Sequence, residues 1–248
     1  MKIACLCPTY RRPSLLPTAL FQFLHQQCPG HELRLFVLDD AGQYDNQTHD
    51  AWALHSVTQR FATMGSKHNA LIELAQEWEA DVCCQWDDDD LYLPLHVSNH
   101  VAALTASTAA WSIPRTKRIQ TPAGITIEHH DRPWCHGSWA YRISAAKKIN
   151  GYDERQRDDF DLDFGARLLR SSGEPADATG ADPQYVYRWG VTGSRNVSSF
   201  AKTGSYYYCE ASNNGVSSPH HGLQITPKLD SSAEKVWSAL GVQISTHG

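Results

Sequence analysis

The sequence predicts an α/β protein, and three observations predict it. Short apolar runs alternate with amphipathic stripes, the runs break off in Pro, Gly or Asp clusters, and the composition is that of a folded globular chain. Of 248 residues, 41% are hydrophobic and 20% are charged, which is ordinary for one large domain with a sizeable core.

Lys2 to Cys7 is an apolar run halted by Pro8 and reads as a first strand. Pro13, Ser14 and Pro17 then open a helix with Leu16, Leu20, Phe23 and Leu24 on one face, closed by Cys28-Pro29-Gly30. A second strand, Leu33 to Leu38, ends in Asp39-Asp40-Ala41-Gly42. Ser66 to Glu79 is helical, with Ala70, Leu71, Leu74, Ala75 and Trp78 on one stripe. Asp81 to Trp86 is a third strand, and it runs into Asp87-Asp88-Asp89-Asp90. In open α/β sheets ligands gather beyond the carboxyl ends of the strands. Two acidic clusters occupy that position here.

The helix His96 to Ala106 follows Pro94, and Thr121-Pro122-Ala123-Gly124 marks a hairpin turn before the alternating stretch Ile125 to Ile127. Ser144 to Ile149 is a short helix closed by Asn150-Gly151, while Phe160, Phe164 and Leu168 mark a longer one. Thr192 to Gly222 is rich in Gly, Ser and Asn and reads as a loop or lid. Ser231 with Glu234 forms a capping-box signal for a final helix carrying Val236, Trp237 and Leu240. The expected organisation is a main unit over 1–190, with 191–248 a loop and closing helix of the same domain.

Charge and cysteine content narrow the function classes. With 27 acidic against 22 basic residues the net charge is −5, and the short stretch Arg115-Thr116-Lys117-Arg118 is the only support for a nucleic-acid partner. Seven cysteines lack the spacing of a disulfide scaffold. Neither Cys5 and Cys7 nor Cys83 and Cys84 has the spacing of a zinc site, so both pairs read as buried small hydrophobes in a reducing compartment. Met1 to Tyr10 is too short an apolar stretch for a secretory signal, and no run approaches the roughly 20 apolar residues of a membrane span. The expected location is cytoplasmic, with no integral membrane segment.

The four aspartates followed by Leu91-Tyr92-Leu93-Pro94 carry the strongest chemical signal. Clustered carboxylates at a strand end repel unless a cation lies between them, and a hard divalent ion is the natural partner. Mg²⁺ or Mn²⁺ held by one or two such carboxylates leaves positions for water and phosphate oxygens.

Five motifs now stand in order: Pro8-Thr9-Tyr10-Arg11-Arg12-Pro13, Leu38-Asp39-Asp40-Ala41-Gly42, Gly65-Ser66-Lys67-His68-Asn69-Ala70, the aspartate cluster, and Ile149-Asn150-Gly151-Tyr152-Asp153-Glu154 leading to Asp158-Asp159-Phe160-Asp161-Leu162. Together they resemble the family 2 glycosyltransferases of GT-A fold, over about residues 1 to 170. The resemblance implies a Rossmann-like nucleotide-binding half with a mixed central sheet flanked by helices. It also implies metal-dependent transfer of a sugar from a nucleotide-sugar donor, a UDP-sugar first among candidates, to an acceptor hydroxyl with inversion.

Carried over by position, Pro8, Thr9, Tyr10 and Arg11 line the nucleotide pocket, and Asp39 or Asp40 bonds the base or ribose. Lys67 and Asn69 approach the donor. The family's metal motif falls on Asp87, Asp89 and Asp90, with Asp88 in its variable place. Asp87, Asp88 and Asp89 are assigned to the nucleotide, and Asp89 or Asp90 to Mn²⁺ or Mg²⁺. A late histidine, His220 or His221, would complete the metal shell. Asp159 is the expected general base, with Asp158 the alternative, because it must take the acceptor proton. His136 and Trp139 fall where the family lines its sugar and acceptor cleft, Trp139 to stack on a sugar face. The acceptor is a glycan or another hydroxyl-bearing molecule, or in a lesser variant modified nucleic acid. Two rivals remain: a nucleotidyltransferase of related fold, and a non-catalytic nucleotide- or sugar-binding module.

Overall fold

A computed structural model of the chain describes residues 1–132, 135–155, 158–188 and 225–242. Strand β1 (Lys2–Thr9) is buried from Ile3 onward. It lies at the centre of the main sheet because its alternate side chains have apolar partners on both faces. The helix α1 (Leu16–Leu24) returns the chain to β2 (Glu32–Asp39), which runs parallel to β1 with Thr9 opposite Asp39. Two strands then extend this edge, β3 (Gln47–Thr48) and β4 (Trp52–Ser56). The helix α2 (Met64–Glu77) crosses back to β5 (Val82–Gln85), parallel to β1 on its other side.

After β6 (Leu91–Tyr92) and α3 (His96–Ala106) come β7 (Trp111–Ile113), β8 (Thr116–Thr121) and β9 (Gly124–His129). A short 3₁₀ turn at His136–Ser138 precedes β10 (Ala140–Arg142) and α4 (Ile143–Lys148). Next are α5 (Phe160–Ser172), β11 (Ala176–Asp177), β12 (Tyr185–Arg188) and α6 (Ser231–Ala239). The main sheet has the order β11-β7-β10-β5-β1-β2-β4-β3, and a second sheet the order β6-β12-β8-β9. The antiparallel pairing of β10 with β5 and β7 makes the main sheet mixed.

Two core layers sandwich that sheet. Ile3, Cys5, Cys7, Leu35 and Val37 face α1 and α3, while Ala4, Leu6, Phe36 and Leu38 face α2, α4 and α5. All six cysteines among the described residues are free, and five of them are buried, as their reading as small hydrophobes requires. The chain crosses from β1 to β2 on one side and reaches β5 on the other. The crevice at the carboxyl ends of these three strands is therefore the switch point where such folds bind ligands.

Several boundaries and faces differ from expectation. Leu24 is 43% exposed, because α1 ends there and the core-facing positions are Leu16, Ala19, Leu20 and Phe23. The helix α2 starts earlier than Ser66, with Thr63 as N-cap in a capping box with Ser66. At α6 the cap is Asp230 rather than Ser231, since its carboxylate accepts from the N–H groups of Ser232 and Ala233, both at 2.8 Å. This helix is packed into the body: Ala233 and Val236 join Leu91 and Val186 in one apolar cluster. Among the described residues no helix is long and apolar enough to cross a membrane.

Candidate active site

The acidic run begins where β5 ends, so the sheet delivers it to the crevice. Carboxylate oxygens of Asp87, Asp89 and Asp90 lie within 4.8 Å of one another. This is the trio on which the family's metal motif falls, with Asp88 set apart. Asp88 instead faces β1, accepting from Thr9 Oγ1 at 2.7 Å and from Arg12 Nη1 at 2.7 Å. A second bond from Arg12 Nη1, 2.9 Å long, goes to Asp89 Oδ2.

Each carboxylate of the trio has its own support. The Asp87 backbone N–H donates to Tyr92 Oη at 2.6 Å, and that hydroxyl donates to the Gly137 carbonyl at 3.0 Å. Tyr92 is held by stacking on Trp86, ring centres 3.9 Å apart. Asp90 accepts from the Tyr185 hydroxyl and, at 3.0 Å, from the Arg188 backbone N–H. The 3₁₀ turn closes the other side. A Cβ on Gly137 would lie 2.4 Å from Asp87 Oδ2 and 3.2 Å from Asp90 Oδ2, so only glycine lets the backbone come this close.

Burial decides the electrostatics. It pushes Asp87 up to about 8, with the charges of Asp89 and Asp88 adding to the shift. It also raises Asp89, against the pull of the Arg12 guanidinium. Asp90 is driven well above the carboxylate range by burial and then by Asp89 and Asp87, with the Tyr185 and Arg188 bonds opposing. The trio cannot ionise together without added positive charge. Its donors are all hard oxygens converging on one point, which fits Mg²⁺ or Mn²⁺.

No family model matches this sequence, and no curated protein matches it. Solved structures do. TarS of S. aureus, residues 1–349, superposes with a TM-score of 0.60 at 13% identity over 76% of this chain and 60% of that one. The same protein in complex with UDP-GlcNAc gives a TM-score of 0.59, again at 13% identity, over 76% of this chain and 59% of that one. The mannosyltransferase PcManGT of Pyrobaculum calidifontis, in complex with GDP-Man and Mn²⁺, gives 0.56 at 15% identity, over 76% of this chain and 56% of that one. This chain has the GT-A type of fold. It spans about 60% of the length of TarS 1–349.

Around the trio, the residues singled out in the sequence divide into those that border the crevice and those the fold has taken up. Pro8 and Thr9 end β1 in the sheet. Tyr10 follows, with the guanidinium of Arg60 4.1 Å and that of Arg11 5.3 Å from its ring centre. Arg11 is exposed and holds a left-handed φ of 52°. Asp39 is fully buried. Its carboxylate accepts from the N–H groups of Ala41 and Gln43 and from Ser56 Oγ, at 3.0, 2.8 and 2.8 Å. It therefore shapes the loop after β2.

Lys67 is turned into the fold. It is 2% exposed, and its ammonium donates to Asp40 Oδ1 at 2.5 Å and to the Thr9 carbonyl at 2.6 Å. It locks α2 to the ends of β1 and β2, its ammonium spent on these two partners. Asn69 is likewise structural: it accepts from Tyr152 N at 2.7 Å and donates to the Tyr152 carbonyl at 3.0 Å and to Glu154 Oε1 at 2.8 Å. Trp139 is 1% exposed and lies against Gly165 of α5, with Trp111 edge-on at 5.7 Å. Its faces are covered, so it is a core residue and not a sugar platform. The ring of His136 is 2.6 Å from Tyr152 Oη, and burial pushes it down to about 3, which keeps it neutral behind the trio.

Asp158 and Asp159 are exposed at the start of α5, Asp159 at the N-cap position without a side-chain capping bond. Asp161, in the first turn of α5, is half-buried, and burial raises its carboxyl. Its charge in turn raises Asp87 and Tyr152, so it lies on the crevice side of the helix. His220 and His221 lie outside the described residues. Sequence reasoning assigned no role to Arg12, Gly137 or Tyr185, and it read Lys117 only as part of a basic stretch, of which Lys117 and Arg118 are buried. Lys117 on β8 is wholly buried, and its Nζ has no hydrogen-bond partner among the described residues. A Pro-flanked arginine pair signals Arg12, but nothing in the local sequence signals the others.

Proposed function

We propose that this protein transfers a sugar from a nucleotide-sugar donor, a UDP-sugar in the first instance, to an acceptor hydroxyl with inversion. The observation that carries the reading is the convergence of Asp87, Asp89 and Asp90 at the strand ends of this fold. Proteins of the same fold are seen holding UDP-GlcNAc, and GDP-Man with Mn²⁺.

Within that reading the crevice rim of Thr9, Tyr10 and Arg11 receives the nucleoside, and the loop braced by Asp39 and Asp40 walls the base. The trio would hold Mn²⁺ or Mg²⁺, which when bound stabilises the charge of the departing diphosphate. Asp159 takes the proton of the acceptor hydroxyl, with Asp158 the alternative. It stands exposed at the amino end of a 13-residue helix, where an acceptor hydroxyl can come within hydrogen-bond reach. Exposure of both residues leaves room for a large acceptor, a glycan or another hydroxyl-bearing molecule. The buried free thiols suit a cytoplasmic site of action. A nucleotidyltransferase would call for a glycine-rich phosphate cradle after β1, and Pro8 to Pro13 contains no glycine.

Calorimetric titration of UDP and of GDP, with Mn²⁺ and then with chelator in its place, tests the donor half. Metal-dependent binding of one nucleotide is expected. Binding of neither in the presence of Mn²⁺ overturns the reading.

A further inference from the structure

Arg12 joins two of the four aspartates through one nitrogen, 2.7 Å from Asp88 and 2.9 Å from Asp89. The two partners differ in kind. Asp88 is outside the converging trio, whereas Asp89 belongs to it. Asp89 is therefore claimed twice, by the guanidinium and by whatever cation the trio takes. The carboxylate side chains are 2% and 7% exposed, that of Arg12 is 21% exposed, so the guanidinium sits at the mouth with the carboxylates beneath it.

The Arg12 carbonyl accepts from the N–H groups of Leu15 and Leu16, at 3.1 and 3.3 Å, as the chain turns into α1. The backbone at Arg12 is thus pinned, and any change of partner falls to its long side chain. A guanidinium is a planar fork of donors matched to phosphate oxygens as well as to carboxylates. A nucleoside diphosphate bound at the trio would place such oxygens at the same mouth.

We propose that Arg12 is an exchangeable counter-ion: it neutralises Asp88 and Asp89 before the donor binds, then yields Asp89 to the divalent cation and turns its fork onto the donor's diphosphate. The proposal rests on the glycosyl-transfer reading and adds to it a residue with two sequential partners. Arg12 is then a competitor of the metal when the metal comes alone, and an ally when metal and diphosphate come together.

That double role gives two effects of opposite sign. Arg12→Gln keeps a polar amide, shortens the side chain and removes its charge. With Mn²⁺ alone its affinity should rise about fivefold to tenfold, because a positive charge has left the neighbourhood of Asp89. With Mn²⁺ saturating, its affinity for UDP or GDP, whichever the wild type binds, should fall about tenfold or more through loss of charge-assisted bonds. Affinity for the matching nucleoside, which has no phosphates, should not change. Arg12→Lys keeps a point charge without the fork. Its Mn²⁺ affinity should match the wild type while its diphosphate affinity falls, and it carries the test if the glutamine variant does not fold.

Calorimetry with these three probes, Mn²⁺ alone, nucleoside diphosphate and nucleoside, reads all the outcomes. Weaker or unchanged Mn²⁺ binding in a folded Arg12→Gln protein overturns the competition. Wild-type diphosphate affinity in Arg12→Lys overturns the fork. In either case wild-type protein that binds the nucleotide leaves the glycosyl-transfer reading standing, whereas wild-type protein that binds neither nucleotide overturns both.

Discussion

In Gly137→Ala the new methyl group would stand 2.4 Å from Asp87 Oδ2, 2.9 Å from its Cγ and 3.2 Å from Asp90 Oδ2. Reaching an ordinary 3.4 Å contact moves the Asp87 oxygen by about 1 Å. The Asp87 backbone is tied to Tyr92 Oη at 2.6 Å, so the carboxylate must rotate away and the main chain stays. Divalent cations of this kind accept oxygen ligands within about 0.2 Å of their preferred distance. A 1 Å error would therefore take Asp87 out of the proposed cation site. Mn²⁺ affinity should drop about 10- to 100-fold, or roughly 1.4–2.8 kcal/mol. Gly137 lies outside the left-handed region, so alanine suits its backbone and the fold should survive. Calorimetric titration of Mn²⁺ beside a thermal melt checks both halves. Mn²⁺ affinity within twofold of wild type, with an unchanged melting temperature, would refute the idea that this turn sets the trio's geometry.

Asp159→Asn should leave nucleotide binding intact and lower transfer by about 10²- to 10⁴-fold; near-wild-type turnover would move the base elsewhere, with Asp158 and the inward-facing Asp161 next to be tested. Asp87, held at about 8, keeps its proton in the metal-free fold where the unfolded chain has lost it. The stability this group contributes is therefore lost as pH rises toward 8. Metal-free wild type should lose stability relative to Asp87→Asn across that range, Mn²⁺ should flatten the trend, and its binding should release protons that calorimetry in buffers of different ionisation enthalpy can count. Parallel urea melts with no divergence would refute the assignment. Lys117→Met should stabilise the fold by about 1–3 kcal/mol at neutral pH, since it replaces a buried amine without a partner among the described residues by an apolar side chain of similar length. Burial lowers the Lys117 pKa, so wild type should recover stability relative to the variant as pH climbs toward the ordinary lysine value. A destabilised Lys117→Met in urea melts would show that the ammonium is valued where it lies.

What could be read in advance follows from how local each signal is. The helix His96 to Ala106 was bounded correctly because periodicity and Pro94 are written into adjacent residues. The trio was legible because four aspartates at a strand end have few uses. The strand Trp52–Ser56 was not, since Trp52-Ala53-Leu54 is too short an apolar run to stand out and is a strand only because β2 pairs with it. Nor was Tyr185–Arg188, whose arginine is 1% exposed. Lys67 and Trp139 show the limit most clearly. A lysine at a helix start and a tryptophan near a cleft motif look like ligand contacts, and only burial against distant elements makes one a brace and the other core. Gly137 gives no local sign at all, because its importance is the lack of room for a Cβ beside two side chains about fifty residues earlier in sequence.

The far end of the described chain is fastened to the acidic trio. The Asp230 N–H donates to Thr18 Oγ1 at 2.9 Å, which anchors the entry to α6 on α1. Arg188 Nη2 reaches Ser232 Oγ at 3.0 Å, and Nη1 lies 3.5 Å from Asp230. The same arginine's backbone N–H is the 3.0 Å donor to Asp90. Partners this distant in sequence meet late in folding, after the nearer pairings of β1, β2 and β5. During synthesis the sheet would thus take shape well before Asp90 has its full set of donors. A ribosome-bound chain without residues 230–240 would have the crevice and Asp90's donors, but the Arg188 side chain would lack Ser232 and Asp230, so the strand end that brings its N–H to Asp90 would be braced last.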